Sequence, residues 1–308
     1  MIGGKLGSRP HALYLTLPAQ LFAFSLKQTV ALQDKIKKDL NDLQKVSNEF
    51  IEKVSFDLDL EEYGDWRKNS GVLVSAKRTV PEDAEKRIWG AGESFRIFLS
   101  HISKFKVETA ELKKRLELFG VSCFVAHMDI KPSKEWQDEI ELALASMDGF
   151  VALLTEKFHE SSWTDQEVGF AFARRVPIIA VCLGIDPYGF IGKFQGLASN
   201  WPNSAVDIAK VLIKHDKMFN SYVRALRRIS DFNIGNMLGG VLPNIEHLTT
   251  SQVDALVAAY NETSDLRHCY AFNGKGHSSY GLGLLHYLNG FGTRKFTFDS
   301  SDLVRTVP

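Results

Sequence analysis

The spacing of apolar residues changes along the chain, and each change marks a different kind of element. From residue 27 to 55 the apolar positions are Leu32, Ile36, Leu40, Leu43, Val46, Phe50 and Val54. Steps of three and four make one stripe on a long helix, with Lys, Asp, Gln and Glu on its other faces. Such a stripe suits packing within its own domain and pairing in a coiled coil equally well. Before it, ALYLTLPAQLFAFS (12–25) follows Lys5 and Arg9. Pro18 and Gln20 interrupt that run and no small-x-small cleavage site follows, so it reads as a buried N-terminal segment rather than a signal peptide. Residues 56–92 are mixed and polar, with Gly64, Gly71 and Pro81, and read as a hairpin or linker.

From residue 95 the texture becomes an alternation. FRIFLS (95–100), VSCFVA (121–126), GFVALLT (149–155) and VPIIAVCLG (176–184) are short continuous apolar runs. Between them lie helical patterns: VETAELKKRLELFG, WQDEIELALASM and SSWTDQEVGFAFARR. Strand and helix alternating through short loops predict a parallel sheet with helices on both faces. Strands apolar at every position fit a sheet covered on both sides. After about residue 200 the pattern is helical over 203–215, 217–229 and 250–262, with Thr250 or Ser251 as a cap for the last. One strand-like run, KFTF, stands near the end. The expected organisation is an N-terminal extension (1–92), an α/β domain (93–200) and a mainly helical accessory region (201–308).

Composition narrows the classes. Lys plus Arg and Asp plus Glu are equal at 37 each, which gives no electrostatic case for a nucleic-acid partner. No apolar run approaches the roughly 20 residues of a membrane span. Cys123, Cys182 and Cys269 are scattered and odd in number, so a reducing cytoplasm fits better than a disulfide framework. No zinc ligand spacing is apparent. No G-x-G-x-x-G follows the first strand, which argues against a hydride-transferring dinucleotide enzyme.

In a parallel α/β sheet, ligands sit beyond the carboxyl ends of the strands, where the strand order reverses. The first strand end supplies Ser100, His101, Ser103 and Lys104; the second, His127, Asp129 and Lys131; the third, SSWTDQEV. Together these loops could surround one ligand with a carboxylate, hydroxyls and an aromatic plate. Trp163 and Glu167 stand at i and i+4, on one helix face. Each also has a plain reading: Trp163 as a core aromatic, Glu167 as a first-turn acid. Asp165 already fills that dipole role, and Glu167 is followed by Val168 and Gly169, an odd setting for a solvated acid. His101 and Ser103 could serve as loop caps, and Asp129 and Lys131 as solvated loop charges.

FRIFLSHIS, FVAHMDIKPSKEWQDEIELAL, GFVALLTEKFHESSWTDQEVGFAF and VPIIAVCLGIDPYGFIGK together resemble a bacterial Toll/interleukin-1 receptor (TIR) domain over roughly 94–200. The resemblance implies a flavodoxin-like sheet. Many such domains are NAD-cleaving enzymes that break the nicotinamide–ribose bond, some cyclising the product. Their catalytic glutamate lies in a Trp-x-x-x-Glu pattern that Trp163 and Glu167 match. The same resemblance implies NAD+ as substrate rather than cofactor, and self-association through the loop holding Asp129, Lys131 and Pro132. That loop carries Ser133 where a glycine is common. It also implies a role in antiphage defence or signalling, acting by NAD+ depletion or through a nucleotide messenger read by a downstream effector. Two other readings stand beside it: a non-enzymatic adaptor that assembles through TIR and helical contacts, and a nucleoside-processing transferase with Glu167 as nucleophile.

Overall fold

Pro18, with fixed φ and no amide donor, divides the first apolar run into a strand and a helix. β1 (Arg9–Leu17) precedes it and α1 (Ala19–Leu26) follows. α2 (Thr29–Asp42) and β2 (Glu49–Leu58) complete the segment. β1 and β2 pair in parallel from Arg9↔Glu49 to Leu17↔Leu58, with one register shift between His11 and Ala12. The chain is described here from a computed structural model, which covers residues 9–43, 49–58, 80–125, 135–201, 203–292 and 294–307. It divides into two compact units, one up to Thr79 and one from Val80 onward.

Two expectations for the first unit are corrected. The single helix over 27–55 ends at Asp42, and residues 49–58 are a strand. Phe50, Val54, Phe56 and Leu58 also fit a period of two, and β-branched and aromatic residues favour the pleated state once a partner strand exists. The Asn41 amide secures the change of direction: its Nδ2 donates to Ile51 O at 3.0 Å and its Oδ1 accepts from Ile51 N at 2.7 Å. The apolar N-terminal segment is not buried either. Leu21, Phe24 and Leu26 are all more than half exposed, whereas Ser25 is buried. Of the 56–92 stretch, residues 59–79 lie outside the described residues.

The second unit begins with α3 (Glu82–Trp89), a helix where the sequence suggested linker. Pro81 precedes it, and Glu82, Asp83 and Glu85 occupy the first turn, where the helix dipole favours acids. Trp89 is buried and its Nε1 donates to Ser146 Oγ at 2.8 Å. Five parallel strands follow: β3 (Arg96–Ser100), β4 (Ser122–Phe124), β5 (Gly149–Thr155), β6 (Ile178–Leu183) and β7 (Leu197–Ala198). Their order is β4-β3-β5-β6-β7. The four expected apolar runs are strands, and β7 is an addition. Helices α4 (Lys106–Glu117), α5 (Glu135–Ser146), α6 (Thr164–Arg174) and α7 (Ser204–Leu212) pack around the sheet. Alternation splits the strand residues between two apolar layers. Phe98, Phe150, Ala152 and Leu154 join Ile140 and Val168 on one face. Ile97, Leu99, Val151 and Leu153 join Leu112, Leu116 and Ile208 on the other.

That second layer does not stop near residue 200. It continues through α8 (Asp216–Leu226), α9 (Phe232–Gly239), α10 (Thr250–Glu262), α11 (Ser264–His268), α12 (Tyr270–Asn273) and α13 (Leu284–Gly290), and on to the hairpin β8 (Phe296–Phe298)–β9 (Val304–Thr306). α10 is capped one residue earlier than expected: Thr249 and Gln252 form a reciprocal capping box, which satisfies two otherwise open amides. Polar contacts seat α8 at the amino ends of the strands. Phe95 N donates to Ser221 Oγ at 2.8 Å, Lys217 Nζ to Asp148 Oδ2 at 2.5 Å, and Arg224 Nη2 to Glu93 O at 2.7 Å. This is the edge opposite the carboxyl ends of the strands.

Gly120, in the turn before β4, has φ +80°, and a Cβ there would lie 2.2 Å from Ser221 O. We expect Gly120→Ala to destabilise by about 3 kcal/mol, from strained backbone and from steric displacement of α8. Gly169 lies inside α6 with nothing within 4 Å of a Cβ, so Gly169→Ala should stabilise by about 0.8–1 kcal/mol. Urea unfolding of both variants checks the contrast.

Candidate active site

The strand order reverses between β3 and β5. β3 leads to β4 on one side, while β5, β6 and β7 run outward on the other. A parallel sheet opens a crevice at this point, beyond the carboxyl ends of its strands. Ser100 is the last residue of β3 and pairs with Ala152 of β5. Glu167 lies in the first turn of α6, the helix that follows β5. Both side chains are buried, and Ser100 Oγ donates to Glu167 Oε2 at 2.5 Å. The neighbouring apolar layer includes Phe98, Phe150, Ala152 and Val168. Burial pushes the Glu167 carboxyl up to about 7, and the Ser100 hydrogen bond opposes that rise. A buried carboxyl whose pKa is raised toward neutrality at the switch point is a candidate reactive group.

Trp163 is half-buried immediately before α6, and its carbonyl accepts from Glu167 N at 2.9 Å. The preceding segment is anchored from below, since Thr164 Oγ1 donates to Phe158 O at 2.6 Å. A second tie comes from the loop after β6. The Tyr188 hydroxyl donates to Asp165 Oδ1 at 2.6 Å, and the Tyr188 ring meets His159 edge-on at 6.1 Å. Burial and the Asp165 carboxylate both raise the Tyr188 pKa, so the hydroxyl remains a donor.

Of the residues named from sequence, Ser100, His101 and Glu167 are buried at the strand ends, with Trp163 one turn before Glu167. Ser103 is exposed in the 3-10 turn Ser103–Phe105. Lys104, also exposed, lies over the Phe105 ring at 5.3 Å. Asp129, Lys131 and His127 lie outside the described residues. Sequence reading placed Ser100 at the strand end without giving it a partner. The alternation that puts Phe98 and Ser100 on one face of β3 was the available signal. Nothing in sequence linked Tyr188 to Asp165, because that contact depends on how the loop after β6 folds back. Among the described residues, no group of three His, Cys, Asp or Glu side chains is arranged to share a metal ion.

The sheet order and the buried Glu167 define a doubly wound α/β protein with a buried acid at its switch point. Residues 97–207 match the family model for the TIR domain, so this part of the chain is a TIR domain. It spans a little over a third of the 308 residues. Among solved structures, the TIR domain of the Toll-related receptor TRR-2 from Hydra magnipapillata is similar at 15% identity. That match covers 37% of this chain and 89% of that one, with a TM-score of 0.31. No curated protein matches the chain. No helix among the described residues is long and apolar enough to cross a membrane.

Proposed function

We propose that this TIR domain cleaves the nicotinamide–ribose bond of NAD+, giving nicotinamide and either ADP-ribose or a cyclic isomer. The observation that carries the reading is the buried Ser100–Glu167 pair at the switch point of the sheet. In the proposed reaction the C1′–N bond breaks and its electron pair leaves on the ring nitrogen. The cationic ring thereby departs as neutral nicotinamide, and positive charge develops on C1′ and the ribose ring oxygen. A carboxylate in a water-poor site stabilises that charge far better than one in water. Ser100 holds the carboxylate and favours its charged form. Water arriving at C1′ gives ADP-ribose and releases its proton; attack from within the same molecule gives the cyclic isomer.

The test is to incubate the purified full chain with NAD+ and resolve the products by chromatography and mass spectrometry. Nicotinamide release is the expected result. Release no greater than from the Glu167→Gln protein would reject the enzyme and leave the adaptor reading. Self-association through the TIR domain, a downstream effector sensing the product, and a place in defence or signalling belong to the same proposal.

Two further outcomes follow from the geometry. In this reading Trp163, four residues before Glu167, stacks its ring on nicotinamide. Trp163→Ala should lower kcat/KM by roughly two- to twelve-fold, corresponding to about 0.5–1.5 kcal/mol. The backbone bond from Glu167 N to Trp163 O does not need the indole, so the helix start should persist, which circular dichroism checks. The second outcome concerns pH. Only ionised Glu167 opposes the developing cation, and its pKa is raised to about 7. Activity should therefore rise with pH through about 7 and level off above it. Ser100→Ala removes the bond that lowers this pKa, so the midpoint of the pH–rate profile should move upward. A profile flat from pH 5.5 to 8.5 would contradict the assignment.

A further inference from the structure

The sheet has an incomplete edge. All six residues of β6 pair with β5, from Phe150↔Ile178 to Thr155↔Leu183. On the other side β7 pairs with only Val181 and Cys182. The chain before β7 turns away at Lys193–Phe194, and among the described residues no backbone hydrogen bond joins 193–196 to Ile178, Ile179 or Ala180. Gly196 fixes where the chain rejoins the sheet: a Cβ there would meet Cys182 Sγ at 2.3 Å. Two cavities, of about 360 and 520 Å³, adjoin along the open stretch and share Ile178 and Phe194 in their walls.

The chemistry of this groove is consistent from end to end. Its lining residues are apolar apart from Gln195 and Arg175, and none is acidic. Phe194 is half-exposed, and Lys193 Nζ lies 5.1 Å from the Phe172 ring and 5.3 Å from the Phe194 ring. An unpaired strand edge presents backbone donors and acceptors that a further strand satisfies. Three open residues at about 3.3 Å each give roughly 10 Å of edge, enough for a short extended segment. Alternate side chains of that segment would enter the apolar cavities, and Lys193 and Arg175 at the rim favour an acidic flank.

We infer that the open edge of β6 at Ile178–Ala180 is a docking site for an extended, acidic-flanked apolar peptide segment of a partner protein, added as a strand. The site is separate from the Glu167 crevice and does not depend on the NAD+ reading.

Hydrogen exchange on the full chain tests this, with the synthetic peptide Glu-Val-Thr-Val-Thr-Glu as probe. Amides of Ile178–Ala180 that face the open edge should exchange readily in the free protein and slow by about tenfold or more at saturating peptide. A peptide N-methylated at alternate positions cannot form the ladder and should give no protection. Lys193→Glu, an exposed change, should weaken the acidic peptide about tenfold and improve a lysine-flanked version. Absence of protection at millimolar peptide overturns the proposal, as does equal protection by the N-methylated peptide. Protection already present without peptide, rising with protein concentration together with mass by light scattering, would also overturn it and assign the edge to a second copy of the chain.

Discussion

Glu167→Gln is expected to lose NAD+ cleavage by about two to three orders of magnitude while the protein folds normally. The amide keeps the volume of the carboxyl and can still accept from Ser100 Oγ, now 2.5 Å from Glu167 Oε2. What it lacks is the negative charge opposite the developing ribosyl cation, and single electrostatic contacts of this kind contribute about 10²–10³ in rate. The same variant carries a second signature that does not depend on NAD+. Below pH 4.5, the ordinary value, the carboxyl is neutral in both folded and unfolded chains. Between there and about 7 the folded protein retains a proton that the unfolded chain has released. Stability therefore falls as pH rises through this window and levels off above it, with a total loss of about 3 kcal/mol. The side-chain amide of the variant does not titrate and escapes that loss. Urea midpoints at pH 5 and pH 8.5 should place the variant close to wild type at the lower pH and clearly above it at the higher. Normal turnover by the folded variant would remove Glu167 from catalysis. Equal midpoints at pH 8.5 would show that its carboxyl is not desolvated.

Ending the chain after Asn200 is expected to abolish cooperative folding of the TIR domain. The cut removes Ile208, Leu212, Phe219 and Tyr222, which share one apolar layer with Leu112, Leu116 and Phe119. Those last three are buried in the intact protein. Exposing a Leu or Phe costs about 1.5–3 kcal/mol each, so three approach the roughly 5–15 kcal/mol that stabilises an ordinary domain. The amino ends of the strands would also lose Ser221, Lys217 and Arg224, which satisfy Phe95 N, Asp148 and Glu93 O. Near-ultraviolet circular dichroism and a urea titration of the chain ended after Asn200 would test this. A sharp, two-state transition would show that the C-terminal helices are an attachment rather than part of the core.

The alternating half of the fold could be read from sequence because its signals are local. Strands apolar at every position report a sheet covered on both faces. FRIFLS, GFVALLT and the IIAVCL part of the fourth run became β3, β5 and β6 for that reason. Trp163 and Glu167 were legible as a pair because four residues on a helix is a fixed geometry. Elsewhere, two periods competed for the same residues. Phe50 and Val54 satisfy a helical stripe and a strand alternation alike, and only pairing with Arg9–Leu17 selected the strand. No local rule contains that partner, which is forty residues away.

Sequence by itself determined that there would be a parallel α/β domain with an acid and an aromatic at one strand end, since period, loop length and residue type act within a few residues. Tertiary structure decided the charge state and surroundings of that acid. Packing buries Glu167 of α6 and brings it the donor from Ser100 of β3, and together these set a pKa that no stretch of sequence encodes. It also decided that the C-terminal helices belong to the core and that β6 keeps an open edge. Both are long-range packing outcomes: an apolar residue records only that it will be buried, while the surface that buries it is supplied by the rest of the chain.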